Sequence, residues 1–217
     1  MVDGLTIKKI ANIQLSKKGN SILILTVPRS GSTSLCSSLG KSLTEMNEPL
    51  NDTQMWQSPI NTKAFIDKIS KGNVVVKIMP NHLPSDWKKE DYLSFIDKII
   101  PYFKHVILLD RKDINQQYIS WRNLMNYLLN DDRYPEWTES KIKFGERFFW
   151  LQKYLIRQIS SKYNLKLYFY EDIFFNNYST MFDELNIDLD LVDTRYLDPQ
   201  FKYKENVFKP ELPKQLI

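Results

Sequence analysis

A segment of small, hydroxyl-bearing residues around one arginine is the part of the sequence best suited to chemistry on an anion. This segment, here termed the anion loop, consists of Pro28, Arg29, Ser30, Gly31, Ser32, Thr33 and Ser34. It follows an apolar run and precedes leucines at every fourth position, so it is predicted to join a strand to a helix. Free N–H groups of the first helical turn, the positive end of the helix dipole and hydroxyl donors would then converge on one point. The pattern predicts a phosphate or sulfate site or, alternatively, an ordinary turn capped by a serine or threonine.

A second segment, Gly40-Lys41-Ser42, spells the end of a Walker A motif and must be weighed against the anion loop. The motif requires another glycine five positions before Gly40, where this sequence has Leu35. The segment also lies inside a helical pattern rather than at the end of a strand. No two of the six glycines are spaced as G-x-G, so a dinucleotide-binding fingerprint is absent too.

The elements that must position these residues are visible as apolar runs and helical periodicities. An uninterrupted apolar run at 21–27 and mostly apolar segments at 74–79, 105–109 and 165–170 predict strands. Between and after them, helical spacing covers 34–43, 62–70, 90–100, 113–129 and 139–162, with a weaker helix through 181–185. Alternating strands and helices predict an α/β fold with a mainly parallel sheet and helices on both faces.

Composition limits the classes of protein to consider. The chain has 217 residues, of which 42% are hydrophobic and 26% charged, and we expect one domain over 1–217 with a core at about 21–190 and a polar tail. Cys36 is the only cysteine, so an intramolecular disulfide is excluded, and with His82 and His105 it cannot supply a Cys/His zinc cluster. A reducing, cytoplasmic location is expected.

Net charge and the length of the apolar runs indicate which partners the protein can have. The net charge of +4 permits an anionic ligand but is too small to indicate nucleic-acid binding, and no nucleic-acid partner is expected. No apolar run approaches the roughly 20 residues of a membrane-spanning helix, so no membrane anchor is expected.

Four segments in order resemble one family. TVPRSGSTSL resembles the 5′-phosphosulfate loop of the sulfotransferases that use 3′-phosphoadenosine 5′-phosphosulfate (PAPS). LLDRKDINQQYISW resembles the family's 3′-phosphate segment, with Arg111 and Ser120 at the matching positions, and FYEDI resembles the segment whose tyrosine, here Tyr170, lies at the adenine. VVVKIMPNHLP resembles the strand and loop that carry an active-site lysine and histidine. The likeness spans about 21–175 and is closest in form to bacterial carbohydrate-type sulfotransferases.

The resemblance implies a three-layer α/β/α domain with the P-loop NTPase-like sulfotransferase fold. It implies transfer of a sulfuryl group from PAPS to a hydroxyl or amine of a carbohydrate or small molecule, leaving 3′-phosphoadenosine 5′-phosphate (PAP), without a metal. The anion loop would hold the 5′-phosphosulfate, Arg111 and Ser120 the 3′-phosphate, and Tyr170 the adenine.

The resemblance also implies catalytic residues. Arg29 would stabilise the charge on the leaving oxygen, with Lys77 assisting, although cytosolic members have lysine at the position of Arg29. Glu48 matches the general base of the carbohydrate- and protein-type branches, whereas His82 matches the cytosolic histidine only after two extra residues are allowed. Glu48 is favoured and His82 stays open. The RKG segment of cytosolic members has no counterpart, and Lys202 and Lys204 are the nearest basic residues in the tail.

Two other functions remain open. A nucleotide or small-molecule kinase would bind ATP and need Mg²⁺, whereas a non-catalytic anion- or nucleic-acid-binding module would transfer nothing. The loops at 47–61 and 130–138, with Trp56, Tyr134 and Trp137, are the predicted walls of an acceptor pocket.

Overall fold

Five parallel strands form one sheet in a computed structural model that describes residues 19–50, 62–82, 88–130 and 138–198. The strands are β1 (Ile22–Thr26), β2 (Thr44–Asn47), β3 (Val74–Ile78), β4 (His105–Asp110) and β5 (Leu167–Phe169). Their order in the sheet is β2-β3-β1-β4-β5, and every pairing is parallel. All residues of β1 and β3 are buried, which explains why both strands are mostly apolar in the sequence, with Lys77 as the charged exception in β3.

Six α-helices lie in the described part of the chain. They are α1 (Ser32–Leu39), α2 (Thr62–Ile69), α3 (Lys89–Ile99), α4 (Ile114–Leu129), α5 (Glu139–Tyr163) and α6 (Tyr178–Glu184). Short 3₁₀ turns occupy Pro80–His82, Ile100–Tyr102, Leu189–Leu191 and Thr194–Leu197, and a π-helix occupies Asp172–Asn177. No described helix has the length and apolar character needed to cross a membrane.

The helices cover both faces of the sheet, giving three α/β/α layers. On one face, Phe65 of α2, Phe95 of α3 and Ile156 of α5 share a core with alternate residues of β1 and β3. On the other face, the core joins α1, the π-helix and α6. Each layer buries the apolar side of its helices against the sheet, as the periodicity of the sequence requires.

The chain leaves neighbouring strands toward opposite faces, and this creates a crevice. β1 continues into α1 on one face, whereas its neighbour β3 leads to α3 on the other. In open α/β sheets, ligands bind in the crevice beyond the carboxyl ends of strands that diverge in this way. The anion loop follows β1 directly, so it lies at this position.

The predicted α/β class, parallel sheet and helices on both faces are confirmed. The four predicted strands are all present, but the prediction missed β2, because this edge strand buries only Met46 and therefore shows no apolar run. Trp56, Tyr134 and Trp137, and Lys202 and Lys204 in the tail, lie outside the described residues.

Candidate functional site

The anion loop turns sharply between β1 and α1 through two residues in the left-handed region. Arg29 has a φ of 63° and Gly31 a φ of 79°. The Ser30 hydroxyl points inward, where it donates to the Val27 carbonyl at 2.9 Å and lies 2.5 Å from Thr26 Oγ1. Because Ser30 is fully buried and its hydroxyl is bonded within the loop, its side chain supports the turn and is not presented to a ligand.

The first turn of α1 lacks a side-chain cap. Gly31 is the N-cap residue, so no N-cap side chain accepts a hydrogen bond from the N–H groups of this turn. The alternative of a serine- or threonine-capped turn is therefore wrong. The N–H groups of Ser32, Thr33 and Ser34 begin the helix and need an outside acceptor, which an anion can provide.

Gly31 is packed tightly against aromatic rings. A Cβ atom on this residue would lie 2.6 Å from Cδ2 of Tyr170 and 2.8 Å from Cε2 of Phe174. These two rings stack on each other with centroids 4.7 Å apart. The segment after β5 thus lies against the anion loop, and the close approach requires glycine at position 31.

Arg29 and Arg111 form the cationic end of the site. The Arg29 Nε donates to Ser120 Oγ of α4 at 2.9 Å. Arg29 is exposed to solvent overall, but its guanidinium is crowded enough that burial, and then the charge of Arg111, lower its pKa. In the described part of the chain, no carboxylate lies within ion-pair distance of Arg29. Two cations placed near each other in this way attract an anion.

Arg111 follows β4 and is held by the segment after β5. Its guanidinium carbon lies 4.9 Å from the ring centroid of Tyr170, and its Nε lies 3.4 Å from Glu171 Oε1 without the alignment of a hydrogen bond. The Glu171 carboxylate accepts instead from the backbone N–H groups of Lys112 at 2.9 Å and Asp113 at 3.2 Å. The buried Arg111 Nε–H therefore still needs an acceptor.

Lys77 links the anion loop to Glu48. Its side chain is 1% exposed, so the Lys77 ammonium is not solvated. Lys77 Nζ lies 2.5 Å from Glu48 Oε1 and donates to Thr33 Oγ1 at 2.8 Å. A buried ammonium with these two partners places positive charge between the loop and a carboxylate.

His82 lies beside Glu48, and its contact with the backbone fixes which nitrogen of the neutral ring carries the proton. Its Nδ1 accepts a hydrogen bond from the Met79 N–H at 3.2 Å, so the proton of the neutral ring is on Nε2. That Nε2 lies 3.4 Å from Glu48 Oε2. Burial lowers the pKa of His82 to about 4, although the Glu48 carboxylate acts in the opposite direction. The ring is therefore neutral near pH 7, and its Nε2–H lies near Glu48 without the alignment of a hydrogen bond.

The two candidate bases differ in access. The His82 side chain has no exposed surface, its Nδ1 is engaged by the backbone and its Nε2 bears the proton. The Glu48 side chain is 13% exposed and therefore has surface that another molecule could reach. The structure thus brings both residues together, but only the Glu48 side chain is accessible to another molecule.

Three further residues at the site escaped the sequence analysis. Asp110 ends β4, Gln117 lies in α4 and Lys153 lies in α5, and all three are buried. In the sequence, Asp110 and Lys153 show only a charged side chain within otherwise apolar patterns, whereas Gln117 begins the Q-x-x-S spacing that ends at Ser120. The Gln117 side chain donates to the Pro28 carbonyl at 2.8 Å and so contacts the anion loop directly.

The Walker-like segment lies away from this site. Gly40 caps the carboxyl end of α1, the end opposite the anion loop. Lys41 Nζ donates to the Asp190 carbonyl and the Ser42 hydroxyl to the Leu191 carbonyl, both at 2.9 Å. Both polar side chains therefore hold the 3₁₀ turn at Leu189–Leu191 against the helix.

No protein-family model matches the chain, and no curated protein matches it. The geometry of the site therefore carries the functional argument.

Proposed function

We propose that the protein is a PAPS-dependent sulfotransferase with a P-loop NTPase-like sulfotransferase fold. It would move a sulfuryl group from PAPS to a hydroxyl or amine of a carbohydrate or other small acceptor. The proposal combines the resemblance of four segments with the way in which those segments meet around the carboxyl end of β1.

The observation that carries the proposal is the hydrogen bond from Arg29 to Ser120, at 2.9 Å. It joins the segment proposed for the 5′-phosphosulfate to the segment proposed for the 3′-phosphate. Arg111, of the second segment, is near enough for its charge to lower the pKa of Arg29. A ligand with an anionic group at each end of one nucleoside matches such a pair of cations.

The residues of the site fit PAPS group by group. The uncapped N–H groups of α1 and Arg29 suit the 5′-phosphosulfate, whereas Arg111 and Ser120 suit the 3′-phosphate. The buried Arg111 Nε–H, which lacks an acceptor, is a donor that a phosphate oxygen would satisfy. Tyr170 contacts both regions through Gly31 and Arg111, as a residue beside the nucleoside should.

The chemistry of transfer requires positive charge at the leaving oxygen. The acceptor oxygen or nitrogen forms a bond to sulfur, the bond from sulfur to the bridging oxygen breaks, and its electron pair remains on the phosphate of PAP. Arg29, Lys77 and the helix N–H groups stabilise that developing negative charge. Arginine stays protonated, so Arg29 acts through its charge and hydrogen bonds rather than as a proton donor.

Glu48 is the proposed general base. It would take the proton that the acceptor loses, because its partly exposed carboxylate lies beside Lys77, which also contacts the loop at Thr33. His82 would face Glu48 with its Nε2–H rather than accept the proton itself. The Lys77 ammonium would hold the base and the sulfuryl group near each other.

Nucleotide preference distinguishes a sulfotransferase from the alternative of a kinase. A kinase should prefer ATP with Mg²⁺, whereas a sulfotransferase should prefer PAP, which carries the 3′-phosphate. Titration calorimetry of the full chain with PAP and with ATP–Mg²⁺ separates the two. Tighter binding of ATP would overturn the proposal.

Transfer itself is tested with radiolabelled PAPS and a panel of sugars, phenols and amines. The expected result is label on at least one acceptor and release of PAP. Binding of PAP without transfer to any acceptor class, together with steep weakening by salt, would favour the non-catalytic anion-binding module instead.

A further inference from the structure

A chain of buried polar groups connects the residue before Arg111 to the residue before Arg29. Lys153 Nζ lies 2.6 Å from Asp110 Oδ1 and 2.7 Å from Gln117 Oε1. Gln117 Nε2 then donates to the Pro28 carbonyl at 2.8 Å. The side chains of Asp110, Gln117 and Lys153 are almost fully buried, so water does not screen these bonds.

The orientation of the Gln117 amide follows from chemistry. A lysine ammonium has donors only, so the amide atom that faces Lys153 must be the carbonyl oxygen. The NH₂ group therefore faces the Pro28 carbonyl, which is an acceptor. Each group in the chain meets a partner of the opposite kind, and the ammonium fixes the direction in which Gln117 donates.

One face of α4 holds Arg29 in two ways. Gln117 and Ser120 are three residues apart and lie on the same side of the helix. Gln117 binds the backbone carbonyl just before Arg29, whereas Ser120 accepts from the Arg29 side chain. The left-handed backbone of Arg29, with a φ of 63°, is thus held on both sides.

We propose that Lys153 and Gln117 are positioning residues that set the spacing between the two cations of the site. Lys153 binds Asp110, the residue before Arg111, and through Gln117 it also fixes Pro28, the residue before Arg29. The inference rests on the proposed function, because the spacing matters only for a ligand with two anionic groups. Their role is distinct from that of a buried ion pair that only stabilises the fold.

The proposal predicts a selective loss for a ligand with two phosphates. Two anionic groups on one molecule bind more tightly than either alone only when the two sites are held at the matching distance. PAP carries both phosphates, whereas adenosine 5′-monophosphate and adenosine 3′-monophosphate each carry one. If the two cationic sites are no longer held at the matching distance, the affinity for PAP should therefore fall more than the affinity for either monophosphate.

The test compares Gln117→Met with Gln116→Met by titration calorimetry of the full chain with these three nucleotides. Gln117→Met is similar in length but cannot bind Lys153 or Pro28, whereas Gln116 is exposed and serves as the matched control. We expect Gln117→Met to lower the affinity for PAP by about tenfold, which is the size of one hydrogen-bond contribution. The affinity for each monophosphate should fall by clearly less. The control should bind all three nucleotides as the wild type does.

A second variant guards against loss of folding. Gln117→Glu keeps an acceptor toward Lys153 but, ionised at a mildly alkaline pH, cannot donate to the Pro28 carbonyl. It should stay folded and show the same selective loss of PAP affinity.

The outcomes separate this inference from the proposed function. Wild-type protein that does not prefer PAP over the monophosphates contradicts the proposed function itself. The positioning role alone is overturned if both Gln117 variants keep the wild-type preference for PAP over the monophosphates. It is also overturned if the variants lose affinity for all three nucleotides equally.

Discussion

Arg29 Nε and Ser120 Oγ are 2.9 Å apart although 91 residues separate them in the chain. One residue belongs to the loop after β1 and the other to the helix after β4, two strands that are neighbours in the sheet. The parallel pairing of β1 with β4 brings both loops to the same edge of the sheet. The bond therefore makes a single site from two segments that the sequence presents separately.

Arg111→Ala should weaken PAP binding by about 2–3 kcal/mol, the scale of a charged hydrogen-bonded contact. The reason is that the guanidinium near Tyr170 would be one of two cations that bind the ligand. Titration calorimetry gives the affinity. Arg195→Ala is the matched control, because it removes the same charge from an exposed side chain that pairs with Asp193. Unchanged affinity in Arg111→Ala would remove this residue from the site.

A double-mutant cycle on Arg29 and Ser120 tests the link between the loops. Arg29→Lys keeps the charge but lacks Nε, and Ser120→Ala removes the acceptor. We expect the two substitutions to be non-additive in PAP affinity by about 1 kcal/mol, because each removes the same hydrogen bond. Fully additive effects would mean that this bond does not act in the ligand-bound protein.

The sequence contained enough information to predict most of the sheet but only part of the site. Largely apolar runs identified β1, β3, β4 and β5, and in β1 and β3 every residue is buried, as expected for strands covered on both faces. β2 could not be found in this way, since only Met46 is buried within it.

The polar contacts of the site could not be predicted from the sequence, because they join residues that only the fold brings together. The bond between Lys153 and Asp110 joins residues that are 43 positions apart, and a lysine within a helical pattern is normally solvated. The protonation state of His82 depends on a backbone N–H that only the 3₁₀ turn after β3 brings to its Nδ1. The family resemblance pointed to Glu48, His82 and Lys77, but only the fold shows which of them are buried and which contact one another.

Glu48→Gln should reduce turnover by about 10²- to 10⁴-fold, the usual contribution of a general base, while PAP affinity stays near the wild-type value. Glutamine can still accept from Lys77, so the buried ammonium keeps a partner. Steady-state rates with radiolabelled PAPS and calorimetry with PAP measure the two effects. The choice of base is wrong if His82→Ala abolishes turnover and Glu48→Gln does not.

Gly31→Ala should destroy PAP binding and destabilise the fold. The residue has a φ of 79°, which costs an L-residue roughly 1–2 kcal/mol. The new methyl group would also lie 2.6 Å from the Tyr170 ring, so the loop or the ring must move. Thermal unfolding and calorimetry with PAP provide the measurements. Gly40→Ala is the control, because Gly40 has a φ of −65° and its nearest contact is the flexible Glu45 side chain. Equal behaviour of the two variants would contradict the tight packing at Gly31.

The burial of His82 should make the free energy of unfolding depend on pH. In the folded protein the pKa of His82 is about 4, below its ordinary value of 6.5. As the pH falls from 6.5 toward 4, the unfolded chain binds a proton that the folded protein does not, so the free energy of unfolding decreases. The full loss from this residue is about 3 kcal/mol, and it is absent above the ordinary pKa.

Urea unfolding of the wild type and of His82→Asn, followed between about pH 7 and pH 4.5, isolates this contribution from those of the carboxylates. Asparagine can still accept from the Met79 N–H but does not titrate, so the variant should lose less stability on acidification than the wild type. His105→Asn is the control, because His105 is only half-buried and its removal should leave most of the acid-dependent loss in place. Parallel pH profiles for the wild type and His82→Asn would show that the His82 ring is protonated as readily in the folded protein as in the unfolded chain.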